Sequence, residues 1–405
     1  MTQRLDDDFV FSATTHSLSH ISSILNSLTS VNSQVLITID EDGLNFITEY
    51  SHICRGMSNF SGNKRFYILT KIIAEITLEK SLFTTYQYNP QTKDKDNNDD
   101  TDDSDSNSDS NSIDNTNQNK FAVDLTPIAE SLSLASKNNT QFNGNNNNYY
   151  SQTECTIFYK GSGYPFILIF EDNKMIERCE FSTFINLELE ANNIGFELNQ
   201  NDLLVEGIIK SDVLYDALKD LKDINSEQIY IYATSQQDNN NNNNKSYERL
   251  ALISKSEVGN STLYLPNEKS ILEKLIIYNN DQYNLSCYEF NIFNKFLKSI
   301  KLSNKCKFKK DSNKLSLNLL SLYGFDLPKN YTGTIFDFKI LQKDFDEPIE
   351  NLIPENEKQR LERQDQQVEQ HEQQHEQEQD NIRYNLNENQ YEEEENGGID
   401  VPIFI

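Results

Sequence analysis

Apolar residues recur at helical spacing in four separate stretches of the chain. One apolar residue every three or four positions is the pattern of an α-helix with one buried face. The four stripes are Leu18, Ile21, Leu25 and Leu28; Ile128, Leu132 and Ala135; Leu214, Ala217, Leu218 and Leu221; and Phe290, Phe293, Leu297 and Ile300. Residue types that favour helix starts stand where the first three helices should begin: Thr15, the pair Thr126 and Pro127, and Ser211.

Between the helices lie runs in which apolar and polar residues tend to alternate, as in strands with one buried face. The runs are "QVLITID", "LNFITEY", "AEITLEKSLF", "ECTIFYK", "FILIFED", "ERCEFSTFI", "LLVEGIIK", "QIYIYA", "RLALISK", "STLYLP", "KLSLNLL" and "IFDFKILQ". Residues 9–187 and residues 202–343 each contain two helices among several strands, and residues 186–200 connect them. The pattern repeats without a literal sequence repeat, which predicts two similar α+β domains.

Three polar segments are predicted to lack a packed core: residues 91–120, residues 138–148 and the tail 346–405. They are rich in Asp, Ser, Asn, Glu or Gln, and such compositions bury too little apolar surface to offset the entropy of ordering the chain. The first two are interpreted as insertions between ordered elements, because ordered patterns resume after each of them.

The formal charge of −28 is concentrated in two of these segments. Residues 91–120 hold nine aspartates and three lysines, and residues 344–400 hold nineteen acids and four basic residues, which leaves −7 for the rest of the chain. The sequence pI of 4.5 therefore says little about the folded surface and does not exclude a nucleic-acid partner.

The cysteines and the start of the chain indicate a reducing intracellular compartment and no zinc site. The five cysteines have no CxxC spacing, and none clusters with histidine as a zinc site would require. The start "MTQRLDDDFVF" does not have the form of a signal peptide, and the longest strongly apolar run, "YPFILIF", is too short to span a bilayer. We expect a soluble intracellular protein, in a reducing compartment, with no cofactor and no membrane contact.

Positive charge is concentrated between residues 293 and 314, where eight lysines stand with one acid, Asp311. On the predicted fourth helix Lys295 and Lys298 point away from the apolar stripe, and Lys301 lies at its flank. Eight lysines this close together repel each other, which indicates an anionic partner. Arginine forks and stacking aromatics are missing, which favours contact with phosphates over base reading. The alternative is plain solvation of a helix face, and it weighs equally for Lys219 and Lys222, whose face also holds three aspartates.

No pattern predicts catalysis. "IDEDG" (39–43) gathers Asp40, Glu41 and Asp42, and a tight turn before the glycine explains this cluster better than a metal site. His16 and His20 form an i, i+4 pair without a third ligand, so solvated histidines are the simpler interpretation. The chain has no P-loop, no Rossmann fingerprint and no nucleophile elbow, and "YKGSGYP" reads as a hairpin turn.

Several stretches resemble the DNA sliding clamps, and most closely the fungal radiation-sensitivity (Rad) subunit of the heterotrimeric DNA-damage checkpoint clamp, the nine-one-one complex. They include "FSATTHSLSHISSILNSL", "IDEDGLNFITEYSHI", "TECTIFYKGSGYPFILIFED", "ERCEFSTF", "ALKDLKDI", "LALISKSEVGNSTLYLP", "SILEKL" and "DVPIFI". The resemblance implies two clamp domains, with antiparallel sheets outside and four helices lining a ring, over 16–28, 127–136, 211–223 and 289–301.

The resemblance also assigns residues to surfaces. The DNA-facing residues would be His16, His20, Lys219, Lys222, Lys295, Lys298, Lys301 and Lys305. Edge strands near 178–185 and 261–265 would pair with neighbouring subunits through Arg178, Glu180, Phe181, Phe184, Thr262 and Tyr264. Glu130 and Ser133 stand where replicative clamps carry lysines, which argues against uniform DNA contact.

The function that the resemblance implies is that of a non-catalytic, nuclear ring subunit joined to two different clamp subunits. A dedicated clamp loader would place the ring on damaged double-stranded DNA, where it would activate a checkpoint kinase pathway in the cell cycle and meiosis and support DNA repair. Two alternatives stay open: a homotrimeric, replicative-type processivity clamp, and a 3′→5′ exonuclease, an activity at times credited to the family that the residues do not support.

Two further signals concern regulation and docking. Serines alternate with Asp and Asn between residues 104 and 110, and Ser-Gln or Thr-Gln pairs begin at Thr2, Ser33, Thr140, Ser151 and Ser235, so phosphorylation by acid-directed or checkpoint kinases is one interpretation and chance in a low-complexity chain the other. The acidic tail ends in Val401, Ile403, Phe404 and Ile405. An apolar end on a polar tether is typical of a peptide that docks on a partner.

Overall fold

A computed structural model describes residues 9–56, 65–90, 119–140, 153–186, 189, 196–237, 246–257, 259–278, 283–324 and 327–345. All elements below belong to residues 1–344, the first of the two units into which the chain divides. The predictions for residues 91–118, for 141–148 and for the tail from 346 onward lie outside the described residues. None of the described helices is long and apolar enough to cross a membrane.

The first half of the chain contains nine strands and two helices. They are β1 (Phe11–Thr15), α1 (Leu18–Leu28), β2 (Gln34–Ile39), β3 (Gly43–Gly56), β4 (Arg65–Glu79), β5 (Thr85–Tyr88), β6 (Lys120–Asp124), α2 (Leu125–Thr140), β7 (Glu154–Tyr159), β8 (Phe166–Glu171) and β9 (Ile176–Phe181). A short 3₁₀ turn, Lys80–Leu82, precedes β5.

The second half repeats the same order of elements. They are β10 (Val205–Lys210), α3 (Ser211–Asp223), β11 (Gln228–Gln237), β12 (Ser246–Ser256), β13 (Gly259–Leu265), β14 (Leu272–Ile277), β15 (Asn284–Glu289), α4 (Phe290–Lys301), β16 (Lys305–Lys310), β17 (Lys314–Ser321) and β18 (Thr334–Leu341). The repeat of pattern seen in the sequence is therefore a repeat of described elements, while the exact domain boundaries stay a prediction.

The strands form three antiparallel sheets. Their orders are β5-β1-β7-β8-β9, β13-β12-β11-β15 and β14-β10-β16-β17-β18-β4-β3-β2-β6. The nine-stranded sheet joins the two halves, because β18 of the second half pairs with β4 of the first, with Phe338 opposite Ala74. Two isolated bridges, Ala122 to Phe184 and Cys287 to Lys343, occupy matching places just after β9 and β18.

The four helices pack on the buried faces of these sheets. Helix α1 contacts α2 on one side and α4 on the other, and α4 contacts α3, so the helices follow the order α2, α1, α4, α3. Where α1 meets α4, the Ser299 hydroxyl donates to the Ser27 hydroxyl at 2.9 Å. The ring of Phe296 packs against Phe338 of β18 with centroids 5.1 Å apart. The apolar stripes read from the sequence face this core.

The helix starts differ from those predicted. Helix α1 starts at Leu18, and the Thr15 hydroxyl accepts from the Ser17 amide at 3.1 Å without capping the helix. Helix α2 starts at Leu125, two residues before Pro127, and the Asp124 carboxylate accepts from the Thr126 amide at 3.1 Å. Ser211 is the first residue of α3, and Lys210 holds the cap position without a side-chain bond.

Candidate nucleic-acid interface

Helix α4 presents two exposed lysines in its last turn, Lys298 and Lys301. Cations at this end of a helix interact favourably with the helix dipole, so the local structure tolerates them. The ammonium of Lys301 also lies 5.9 Å from the ring centroid of Tyr215 on the neighbouring α3. Both side chains can reach an anion along the exposed side of the helices.

Lys295, one turn earlier, has a different environment. Its ammonium lies 3.6 Å from the ring centroid of Tyr50 and donates to the carbonyl of Val31 at 3.3 Å. Burial lowers the pKa of Lys295. This side chain links α4 to the first half of the chain, so it is a packing contact more than a free cation for DNA.

The Lys295→Met variant is expected to lose about 1 kcal/mol of unfolding free energy, because the cation–π contact and the bond to Val31 disappear while the aliphatic stem stays packed. Chemical denaturation of the wild type and the variant measures this difference. Lys298→Met is the matched control and should change stability by less than about 0.5 kcal/mol. Equal losses in the two variants would contradict the packing role.

The other helices contribute little net positive charge. Lys219 and Lys222 are exposed on α3, as predicted, but Asp216, Asp220 and Asp223 are exposed with them, so both interpretations of these lysines stay open. Helix α1 has no acidic or lysine side chain. Helix α2 exposes Glu130, Leu134 and Lys137. Among the side chains that the structure describes on these helices, an excess of positive charge is thus confined to α4.

His20 does not face solvent, so the prediction that it faces DNA is wrong. The side chain is fully buried, and its Nδ1 donates to the carbonyl of Tyr323. Its Nε2 is therefore the acceptor and faces two hydroxyls, that of Thr334 at 2.9 Å and that of Tyr331 at 3.2 Å, which also hydrogen-bond to each other. Burial lowers the pKa of His20, partly offset by the bond to Tyr323. His16 lies in the turn before α1 and is only partly exposed.

Lys305 is also not where it was predicted to be. It begins β16, in which Cys306 and Phe308 are buried against the helix side while the alternating Lys305 and Lys307 point to the opposite face of the sheet. The Lys305 ammonium pairs with a carboxylate oxygen of Glu273 at 2.8 Å. Lys305 therefore cannot contact DNA that runs along the helices.

The predicted interface strands lie at sheet edges, as β9 and β13. Arg178 and Glu180 are exposed on β9 and form an ion pair of 2.8 Å. Phe181 packs partly against the core. On β13, Thr262 is half-buried and Tyr264 exposed.

The predicted edge of 178–185 is too long at its end. β9 stops at Phe181, and Phe184 turns away to exchange backbone hydrogen bonds with Ala122 of β6, at 2.8 and 2.9 Å. The sequence reasoning also missed Ile176, which begins β9 and is 68% exposed. The signal in the sequence was an isoleucine directly before the predicted run "ERCEFSTFI".

The acidic cluster after β2 is a turn, as the sequence indicated. The Asp40 carboxylate accepts from the amides of Asp42 and Gly43, both at 2.9 Å. In the described part of the chain no group of three His, Cys, Asp or Glu side chains is placed to hold a metal ion. The docking residues proposed for the tail, Val401, Ile403, Phe404 and Ile405, lie outside the described residues.

Comparisons with known proteins agree with this geometry. The chain matches the family described as repair protein Rad1/Rec1/Rad17 over residues 10–63 and 70–321. It is 31% identical over 364 residues to the DNA damage checkpoint control protein RAD17 of Saccharomyces cerevisiae, covering 82% of this chain and 76% of that protein. The protein of the same name from Eremothecium gossypii is 28% identical over 327 residues, covering 78% and 69%.

Among solved structures, PCNA from Thermococcus kodakaraensis matches with a TM-score of 0.51 at 14% identity, over 82% of this chain and 100% of that chain. This likeness shows the fold, a PCNA-like clamp of antiparallel sheets and four helices, and confirms the predicted α+β class.

Proposed function

Because the chain belongs to the Rad1/Rec1/Rad17 repair-protein family, we propose that it is a non-catalytic subunit of a heterotrimeric checkpoint clamp that encircles double-stranded DNA. Its two neighbours in the ring would be different clamp subunits, and a dedicated loader would place the ring at damaged DNA in the nucleus. The loaded ring would recruit checkpoint kinase signalling and repair, also in meiosis. Both relatives are DNA damage checkpoint control proteins by name, which supports the pathway.

The observation that carries the ring is the junction between the two halves. Strand β18, the last of the second half, pairs with β4, the third strand after the first helix of the first half. The equivalent strands, β9 and β13, are the edges of the five-stranded and four-stranded sheets. If β9 of one subunit pairs with β13 of the next, the two sheets make a nine-stranded sheet of the same kind as the one within the chain. Pairing around a closed ring removes both edges.

The non-catalytic assignment rests on how the candidate residues are used. The Asp40 carboxylate binds the amides of its own turn, and His20 is engaged in buried hydrogen bonds. The heteromeric assignment has the native mass of the purified chain as its test. A monomer supports it, whereas a stable homotrimer would favour the processivity-clamp alternative.

DNA contact by this subunit is proposed to depend on Lys298 and Lys301. The double variant Lys298→Glu/Lys301→Glu should weaken retention of the assembled ring on end-blocked duplex DNA by at least about tenfold at physiological salt. The slope of log affinity against log salt should fall by about two units, one for each phosphate that the variant no longer binds. Retention is measured by surface plasmon resonance over a range of salt concentrations.

The matched control is Lys80→Glu/Lys329→Glu, which changes net charge equally at two exposed lysines outside the helices. Rings that contain this control variant should be retained on the DNA within about twofold of wild-type rings. Normal retention of the α4 variant at physiological salt, with an unchanged salt slope, would refute contact through this helix.

A further inference from the structure

The face of the nine-stranded sheet opposite the helices carries five lysines on three adjacent strands. We name them the outer lysine patch: Lys210, Lys274, Lys305, Lys307 and Lys309. Their common orientation follows from the register, in which Lys210 lies opposite Lys305 and Ile208 lies between Lys274 and Lys307. Directly opposed residues of antiparallel strands share a face, and the buried Cys306 and Phe308 of β16 take the other face.

Two carboxylates offset only part of this charge. Glu206, on the central strand β10, is nearly buried and lies 3.1 Å from the Lys274 ammonium and 3.6 Å from that of Lys307. Burial would raise its pKa, but the hydrogen bond from Lys274 and the charges of Lys307, Lys274 and Lys309 outweigh burial and lower it. Glu273 pairs with Lys305. Five ammonium groups therefore face two carboxylates.

Two details of this lysine arrangement disfavour the fold. Lys210 and Lys305 stand directly opposite each other on paired strands, a position where like charges destabilise a sheet. The ammonium of Lys309 donates to Gln200 at 3.4 Å, and among the described residues no carboxylate lies within ion-pair distance of it. Departures from local consistency of this kind are expected where a surface serves a function.

The centre of the patch holds one apolar residue, Ile208, beside Glu206. Ile208 is partly exposed between Lys274 and Lys307, and Tyr278, which is 51% exposed, borders it with its hydroxyl 3.3 Å from Glu206. The four residue steps from Lys305 to Lys309 span about 13 Å, and two strand spacings add about 10 Å in the other direction. The patch therefore has the size of a short extended peptide of about four to six residues.

We propose that the outer lysine patch docks a polyanionic segment of a partner protein, one whose carboxylate or phosphate groups lie between the lysines and whose apolar side chain packs on Ile208. A protein segment fits better than DNA, because a phosphodiester backbone has no use for the apolar Ile208 and the patch has no arginine. The proposed ring gives a second reason, which rests on the proposed function: DNA inside it lies on the helix side, across the sheet from these lysines.

The experiment measures binding of fluorescein-labelled probes to the full-length chain by fluorescence polarisation at low salt. The first probe is a twelve-residue peptide of Glu and Asp with a central Ile. The others are its Gln and Asn counterpart, a phosphoserine version and a 20-base-pair DNA duplex. The acidic and phosphoserine peptides separate the two sources of anionic charge. We expect at least one of them to bind, with the neutral peptide at least about tenfold weaker.

The test variant is Lys305→Glu/Lys309→Glu, with Lys305→Gln/Lys309→Gln as a milder version should the first fold poorly. Both variants should bind the anionic peptide more weakly than the wild type. For Lys305→Glu/Lys309→Glu, which reverses the charge, affinity should fall by about tenfold or more. The control Lys80→Glu/Lys329→Glu has the same net charge as the first variant and should stay within about twofold of the wild type.

Equal loss in the control would show that only net charge matters and would overturn the proposal, as would binding of the neutral peptide with equal affinity. Duplex binding that is abolished in the patch variant, without peptide binding, would make this a nucleic-acid surface and would overturn it too. Co-purification of the patch variant with its clamp partners, measured separately, reports on the ring, so failure of docking and failure of the proposed function remain distinguishable.

Discussion

A proline at position 180 is expected to abolish assembly of the ring while leaving the chain folded. The hydrogen-bond pattern of the β8–β9 hairpin gives the reason. At the end of the hairpin the amide of Asp172 donates to the carbonyl of Met175 at 3.0 Å. Hydrogen-bonded and non-bonded pairs alternate along an antiparallel ladder. Counting from this bonded pair, Glu180 and its partner Ile167 form a non-bonded pair. The amide of Glu180 therefore points to the open edge.

Glu180→Pro thus removes a donor at the open edge, where a neighbouring subunit would pair. Proline is tolerated on edge strands when its nitrogen faces outward, so the variant should keep the circular dichroism spectrum and the unfolding midpoint of the wild type. The loss should appear when a tagged chain is purified from cells and the amounts of its two clamp partners are quantified. We expect recovery of the partner that pairs with β9 to fall by about tenfold or more.

Two further variants define the contribution of the backbone. Glu180→Ala removes the side chain and its ion pair with Arg178 but keeps the amide, and it should assemble normally, because an exposed ion pair contributes at most about 1 kcal/mol. Cys179→Pro removes an amide that bonds to β8 and should unfold the hairpin. If Glu180→Pro assembles as well as Glu180→Ala, strand pairing at β9 does not hold the ring.

The helices were predictable from sequence because their apolar stripes are long and regular. Each predicted helix overlaps an observed one, and the errors are confined to the ends, where capping depends on single side chains. Most strands were found in the same way. The sequence analysis did not predict β1, β5, β6, β14, β15 and β16. In β16 only Cys306 and Phe308 are apolar among four lysines, which is too few for a clear alternating run.

The site was less predictable, because burial depends on residues far away in sequence. His16 and His20 stand among serines, so the local pattern reads as a polar helix face. His20 is covered by Tyr323, Tyr331 and Thr334, more than 300 residues later in the chain. Nothing near residue 20 signals that contact. The same holds for Lys295, whose partner Tyr50 lies in the other half.

The buried hydrogen bonds of His20 lead to the second prediction. His20→Ala should lower the free energy of unfolding by about 2–4 kcal/mol, because it leaves a cavity and leaves the Tyr323 carbonyl without its hydrogen-bond donor. His16→Ala, at a partly exposed turn, should cost less than about 1 kcal/mol and serves as the matched control. Urea denaturation monitored by circular dichroism gives both values. A loss below about 1 kcal/mol for His20→Ala would refute the packing argument.

The same contacts predict how stability depends on pH. The folded-state pKa of His20 lies below its ordinary value of 6.5, since burial disfavours the charged ring, so the unfolded chain takes up the proton more readily. His20 therefore destabilises the fold as pH falls below about 6.5, and its contribution is intact above that pH. Tyr331, whose pKa burial raises to about 12, stays neutral over this range and cannot compensate.

His20→Gln keeps a polar side chain that can hydrogen-bond but does not titrate. Because the position no longer takes up a proton on unfolding, this variant should lose less stability than the wild type between pH 7 and pH 5, even if it is weaker at pH 7. Urea denaturation at several pH values makes the comparison, and the carboxylates titrate alike in both proteins. Parallel pH curves for the two proteins would mean that protonation of His20 is not coupled to unfolding. The imidazole of His20 would then have the same pKa in the folded and the unfolded chain, despite its hydrogen bond to the Tyr323 carbonyl.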